Sequence, residues 1–283
     1  MNMIPKVIHY LWMSAQKTPD AEECIASWKR LLPDYEIKEW NSHNFPYQDF
    51  IWTKEAVSRK KWAFVSDFFR MWVLEKYGGI YMDADVTMTG SFDEVLNCPL
   101  FIGTEGATRL GSHLIGAEKG HPFISRCLQY YDNRHFIKSD GTLDMIPNPY
   151  IITRIFMSMY HYDGALLTFD GTPLKMKDMI IYPDTFFTIN VFNRKNICYH
   201  NGLGSWRDET TGERGTIEDA IGHYVRYETF CHSMSRKLKG INKLLFMAMP
   251  LGLLCKRYQR RLVLANNKDV TSVSLDGVDL SVL

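Results

Sequence analysis

Residues 62–87 read WAFVSDFFRMWVLEKYGGIYMDADVT, and the rest of the chain can be placed from them. Trp62, Val65, Phe69, Trp72 and Leu74 recur at close to helical spacing, which predicts a helix with one buried face. Gly78 and Gly79 end that helix, because glycine accepts the left-handed backbone that closes a last turn. The Gly-Ile-Tyr-Met that follows is too short and too apolar for a second helix and predicts a buried strand. Asp83 and Asp85 then stand at its carboxyl end, where open α/β sheets bind their ligands.

Two acids one residue apart at a strand end can point oxygens at a common divalent cation and at the diphosphate it carries. Magnesium and manganese suit oxygen ligands and take only one or two carboxylates from a protein, with phosphate oxygens and water completing the shell. An Asp-x-Asp pair alone is also an ordinary solvated turn. Asp67 and Arg70, at i and i+3, share a helix face and by themselves describe a surface ion pair worth a few tenths of a kcal/mol.

Taken together, Ser66-Asp67-x-x-Arg70, Tyr77-Gly78-Gly79-Ile80-Tyr81 and Asp83-x-Asp85 resemble the glycosyltransferases with a sugar-binding DXD motif. These are the Och1-like enzymes and, more distantly, the clostridial glucosylating toxins. The resemblance implies a GT-A fold, a nucleotide-sugar donor and a divalent metal, Mn2+ or Mg2+. It places the donor sugar and phosphates on Asp67 and Arg70, and the metal and ribose on Asp83 and Asp85, with Tyr81 also at the donor.

The first 231 residues supply one large α/β domain, a Rossmann-like, mixed but mainly parallel sheet flanked by helices; residues 232–283 form a separate basic appendage with helical character. Thirty-three basic residues balance 32 acidic ones, so the overall field predicts no nucleic-acid partner. Six scattered cysteines without a CxxC pair argue against a zinc site or a disulfide framework and fit a reducing compartment. The opening MNMIPKVIHYLW has no basic region followed by a long apolar run, so no signal peptide is expected and the catalytic part is expected in the cytoplasm.

Residues 6–13 predict the first strand, residues 20–32 a helix, 35–40 a second strand, and 53–60 a short basic helix leading into the central stretch. His9 and Trp12 are unusual in such a strand. Ile-Pro-Lys-x-Ile-His-x-x-Trp resembles the opening of the same family, which puts Trp12 near the nucleotide base; Trp12 reads equally as a large core aromatic, and His9 reads first as a satisfied core histidine. Further strands are expected at 101–103, 114–116 and 180–182, and helices at 122–131 and 148–160, with His121-Pro122 an ordinary helix entry.

The second cluster is Tyr199-His200-Asn201-Gly202-Leu203-Gly204-Ser205-Trp206. His-x-x-x-x-Ser-Trp resembles the family's carboxyl-terminal motif, which implies that His200 completes the metal site and that Ser205 and Trp206 close over the diphosphate. Imidazole can join carboxylate and phosphate around manganese, and an indole N–H suits a phosphate oxygen.

Residues 236–262 differ in kind: bases at 236, 237, 239, 243, 256, 257, 260 and 261 flank an apolar run, with no acid between Glu228 and Asp269. The run is too short to span a bilayer, for which about 20 residues are needed, and Pro250 and Gly252 interrupt it. It reads as an interfacial anchor on anionic lipid, peripheral on the inner face of a membrane, or as a helix packed on the domain. The tail from Asn266 is expected to be loosely ordered.

These readings converge on a retaining glycosyltransferase that moves a sugar, with UDP as the expected carrier, to a saccharide or lipid-linked saccharide acceptor in surface or capsular polysaccharide synthesis. Retention without a covalent intermediate is expected, since Asp83 and Asp85 are committed to the metal and Arg70 is expected to lower the pKa and nucleophilicity of Asp67. Two other classes compete. Asp83-Ala84-Asp85-Val86-Thr87 also satisfies the Asp-x-Asp-x-Thr signature of the haloacid-dehalogenase phosphatases, although two strand-helix units precede it here and no Gly-Asp-x-x-x-Asp follows. A catalytically silent saccharide-binding or membrane-recruiting relative is the third.

Overall fold

The computed structural model describes residues 4–105, 109–162, 166, 172–188, 196–202, 240–241 and 270–280. In chain order the elements are β1 (Val7–Leu11), α1 (Pro19–Leu31), β2 (Glu36–Trp40), α2 (Ile51–Ser58), α3 (Trp62–Tyr77), β3 (Gly79–Met82), β4 (Val86–Met88), β5 (Leu100–Glu105) and β6 (Arg109–Ala117). They continue as α4 (Pro122–Gln129), α5 (Asn148–Met159), β7 (Leu174–Lys175), β8 (Ile180–Tyr182), α6 (Asp184–Phe187) and β9 (Cys198–His200). Local chemistry sets the boundaries. Thr18 caps α1 by accepting the Ala21 N–H, Pro19 occupies its first turn, and Asp20 and Glu22 sit where the helix dipole favours acids. His121 caps α4 in the same way, its Nδ1 accepting the Phe123 N–H at 3.2 Å.

Seven strands form one mixed sheet in the order β2-β1-β3-β6-β5-β8-β7. β2, β1, β3, β5 and β8 run one way, and β6 and β7 run against them. The sheet separates two cores. One is built with α2, α3, α4 and α5 around Phe64, Phe69, Trp72, Phe123 and Phe156. The other packs α1 and the segment after β4 around Trp28, Ile80, Phe92, Phe101 and Phe187. This is the α/β layering expected, and β1 is its switch point: β2 lies on one side of it and β3 on the other, so a crevice opens beyond their carboxyl ends.

The central helix departs from expectation. Rather than one buried face, α3 buries Phe64, Val65 and every residue from Asp67 to Leu74, because α2 and α4 cover the side turned away from the sheet. Gly78 and Gly79 follow it with φ of +67° and +101°, and a Cβ on Gly79 would meet the Val7 carbonyl oxygen at 2.6 Å. Two glycines are therefore needed to turn the chain straight from α3 into β3. The tail departs as well: Val270 and Val273 are buried, and Asp279 pairs with Arg126 at 3.2 Å and donates its backbone N–H to Gln129 Oε1 at 2.9 Å. Apart from residues 240–241, the basic segment 236–262 lies outside the described residues.

Candidate active site

β3 ends at Met82, so Asp83 leaves the sheet at the switch point while still tied to it: its N–H donates to the His113 carbonyl on β6 at 2.8 Å. Asp85 follows in a tight turn and β4 begins at Val86. β4 pairs antiparallel with β9 in a small ribbon, Val86 opposite His200. That ribbon brings a histidine from far along the chain onto the acid pair. Asn201 locks the join, its N–H and its side-chain amide both donating to the Asp85 carbonyl, at 3.0 and 2.8 Å.

The ligand atoms of Asp83, Asp85 and His200 all lie within 4.8 Å of one another, and His200 Nε2 is 3.1 Å from Asp85 Oδ1. Two cis ligands bound at about 2.1 Å to an octahedral cation stand about 3.0 Å apart, so a small divalent cation fits this edge. The donor set of two carboxylate oxygens and an imidazole nitrogen suits manganese and also admits magnesium. Asp83, Asp85 and His200 keep 25%, 20% and 24% of their side-chain surface open, which leaves room for phosphate oxygens in the remaining positions.

α3 supplies the cation above them. Arg70 bonds Asp67 Oδ1 at 2.9 Å and lies 3.5 Å from Asp83 Oδ1, while its other nitrogens donate to the carbonyls of Ser112 (2.7 Å) and Ser66 (3.1 Å). Its guanidinium lies over the Tyr81 ring, 4.8 Å from the centroid, and the Tyr81 hydroxyl donates to Asp83. A guanidinium held on five sides is a fixed charge aimed at the acid pair. This is not the solvated ion pair that Asp67 and Arg70 describe in isolation.

Burial sets the protonation of the group. It raises Asp67 to about 7, outweighing the lowering by Arg70, so the sequence-based expectation of a depressed Asp67 is overturned by desolvation. Asp83 is also raised, by burial first, against Arg70. His200 is pulled down by burial, but its hydrogen bond to Asp85 and the charges of Asp85 and Asp83 outweigh this and leave it raised. Burial thus opposes the charged form of both acids, and the Arg70 guanidinium beside them favours it.

The structure thus brings together Asp67, Arg70, Tyr81, Asp83, Asp85 and His200. Trp12 lies just past β1 at the same edge of the sheet, its N–H bonded to the Trp40 carbonyl at 2.8 Å and its buried indole Nε1 without a protein partner. Ser205 and Trp206 lie outside the described residues. Sequence reasoning missed four neighbours. His113 stacks on His200, Asn148 gives its N–H to Asp67, Asn201 holds the Asp85 backbone, and Glu105 at the end of β5 adds its charge to His200. Only Asn201 had a signal, its place directly after His200.

Residues 18–101 match the family described as glycosyltransferase sugar-binding region containing DXD motif. That is the family the residues from Ser66 to Asp85 resemble, and the match ends before His200. Among curated proteins, the chain is 28% identical over 141 residues to inositol phosphoceramide mannosyltransferase 3 of Schizosaccharomyces pombe, covering 47% of this chain and 40% of that one. It is 24% identical over 211 residues to mannosyl phosphorylinositol ceramide synthase CSH1 of Saccharomyces cerevisiae, covering 71% and 54%. The chain thus spans about half the length of these relatives. A solved structure, PaToxG Glycosyltransferase, aligns at TM-score 0.44 and 17% identity over 57% of this chain and 71% of that one.

Proposed function

We propose that the chain is a metal-dependent, retaining glycosyltransferase that moves a hexosyl group from a nucleotide diphosphate, a UDP-sugar on the sequence reading, to a hydroxyl of a saccharide or lipid-linked saccharide. The observation that carries this reading is the convergence of Asp83, Asp85 and His200 within 4.8 Å beside the immobilised Arg70. Names of relatives that specify mannosyl transfer to an inositol-bearing ceramide support adding mannosyl donors and phosphoinositol headgroups to the substrates to be tested. Asp83, Asp85 and His200 would hold a divalent cation, whose chemistry there would be to supply positive charge to the departing diphosphate. Arg70 adds a second fixed charge, of the kind worth most in a site shielded from water. Asp67, held by Arg70 and by the Asn148 N–H, orients the hydroxyls of the donor sugar. Membrane-proximal polysaccharide assembly is the setting that the basic segment 236–262 supports.

In the transfer, the bond between the anomeric carbon and the diphosphate oxygen breaks, the acceptor oxygen bonds that carbon from the same face, and the acceptor proton passes to the diphosphate. Double displacement needs a carboxylate free to attack from the opposite face. Asp67 is tied to Arg70 and to the Asn148 N–H, and Asp83 to Tyr81 and Arg70. The phosphatase reading expects the Asp-x-Asp-x-Thr strand to open the sheet, whereas β1 and β2 precede β3.

Thermal unfolding in manganese with a panel of nucleotide sugars tests the donor, since a ligand of the folded state raises its midpoint by mass action. Proton NMR of the first product from a UDP-α-sugar then tests the stereochemistry: an α linkage is expected, and a β linkage overturns retention. A glycosylated Asp67 or Glu105 trapped for mass spectrometry overturns the front-face mechanism. Release of phosphate from a phosphomonoester, with none of UDP from any sugar nucleotide, overturns the transferase reading.

A further inference from the structure

We propose that His113 is a positioning residue that holds the His200 ring in its cation-binding orientation, a reading that rests on the metal site proposed above. The two imidazoles lie face to face, 4.5 Å between centroids and 5° from parallel. His200 ends a strand of three residues that is paired only with β4, so its own backbone does little to fix the ring. His113 lies on β6, a nine-residue strand inside the sheet, and is 2% exposed.

The stack is pinned from behind. His113 Nε2 lies 3.3 Å from the Phe187 carbonyl and 3.4 Å from Thr188 Oγ1, and the Thr188 hydroxyl donates to the Thr104 carbonyl at 2.8 Å. The Thr188 carbonyl accepts the His200 N–H at 3.0 Å, so one residue ties both histidines. On the strand side a Cβ at Gly111 would come within 2.9 Å of His113 Cε1, so the ring fills the space that a larger residue there would need. The same stretch of β6 accepts the Asp83 N–H at His113 and the Arg70 guanidinium at Ser112. One turn-free piece of strand therefore sets the backbone of one proposed ligand, the guanidinium above it, and the ring plane of another.

Positioning predicts that a flat ring at residue 113 suffices and that its nitrogens do not bind the cation. The test is Mn2+ binding by electron paramagnetic resonance, together with the ring-proton NMR shifts of His200 without metal, on the parent chain, His113→Phe, His113→Leu and Gly111→Ala. His113→Phe is expected to bind within about threefold of the parent and to keep the upfield ring-current shift of His200. His113→Leu is expected to lose that shift and to bind roughly tenfold or more weakly, the scale typical of residues that orient metal ligands, and Gly111→Ala to lie between. In a His200→Ala background the His113→Leu change is expected to cost nothing further. Equal binding by parent and His113→Leu overturns the proposal, and so does an additive loss with His200→Ala. Loss in His113→Phe as large as in His113→Leu overturns it in favour of a nitrogen ligand. A parent that binds no manganese overturns the metal site itself, and this proposal with it.

Discussion

Exchanging one carboxylate oxygen of Asp85 for an amide nitrogen leaves the side chain's shape in place and removes the charge opposite His200 Nε2, 3.1 Å away. Asp85→Asn is therefore expected to abolish turnover and manganese binding without unfolding the chain, since the amide keeps the side chain's shape and only its charge is lost. Unchanged manganese dependence in the variant would remove Asp85 from the site. A second residue-scale prediction concerns His9, where burial lowers the pKa to about 4 from an ordinary 6.5. Its Nδ1 accepts the Trp40 indole N–H at 3.2 Å and its Nε2 faces the Gly78 carbonyl at 3.0 Å, a pattern that only the neutral ring satisfies. The unfolded chain then binds a proton more readily than the folded one between about pH 6.5 and 4. The stability this neutral ring confers is present above pH 6.5 and falls by up to about 3 kcal/mol as pH drops through that window. Urea unfolding of parent and His9→Gln across pH 7 to 5 checks it: the parent's slope is expected to be the steeper, and parallel slopes would mean that His9 titrates normally.

At the scale of elements, the turn from α3 into β3 places the site. Gly79 has φ +101° and its missing Cβ would stand 2.6 Å from the Val7 carbonyl oxygen and 3.2 Å from His9 Nε2. Gly79→Ala is expected to lower stability by about 1–3 kcal/mol through the backbone conformation alone, with more from forcing β1 and β3 apart. A lower urea midpoint at unchanged m-value would show it; an unshifted midpoint would mean that the turn relaxes freely. This turn was legible in the sequence because two glycines, a helical period and a strand-sized apolar run are all local. So were β1, β2, α1 and α5, each within a few residues of its expected bounds. The ribbon of β4 and β9 was not. Three-residue strands have no periodicity to read, and their pairing joins residues near 87 to residues near 199. The antiparallel entry of β6 between β3 and β5 was invisible too, because strand order and direction rest on pairings between residues distant in the chain, and with it the contacts of Ser112 and His113. The full burial of α3 did leave a signal, Phe64, Phe68, Met71 and Val73 between the periodic positions, which a one-face reading passes over.

For the whole molecule, the question is how the transferase proposed above, whose described residues include no helix long and apolar enough to cross a membrane, would meet the lipid-linked acceptor proposed for it. Residues 270–280 join the domain core: Val273 is buried in it, Leu275 and Val278 pack against it, and Asp279 meets α4 through Arg126 and Gln129. The basic segment 236–262 is thus followed, within a few residues, by chain docked on the domain, and any lipid contact that it makes holds the whole domain at the surface. Each Lys or Arg near an anionic leaflet contributes about 1 kcal/mol. Replacing Lys256, Arg257, Arg260 and Arg261 together by glutamine is then expected to weaken binding to phosphatidylserine-rich vesicles about a thousandfold. The residual binding of this variant is expected to depend less on salt than the parent's, because screening acts on the charges removed. Co-sedimentation over a range of lipid and salt concentrations measures both, with neutral phosphatidylcholine vesicles as the control. Equal sedimentation of variant and parent, or no binding by the parent, would instead assign the segment to the domain's own surface, and its apolar run from Leu244 to Cys255 to packing against it.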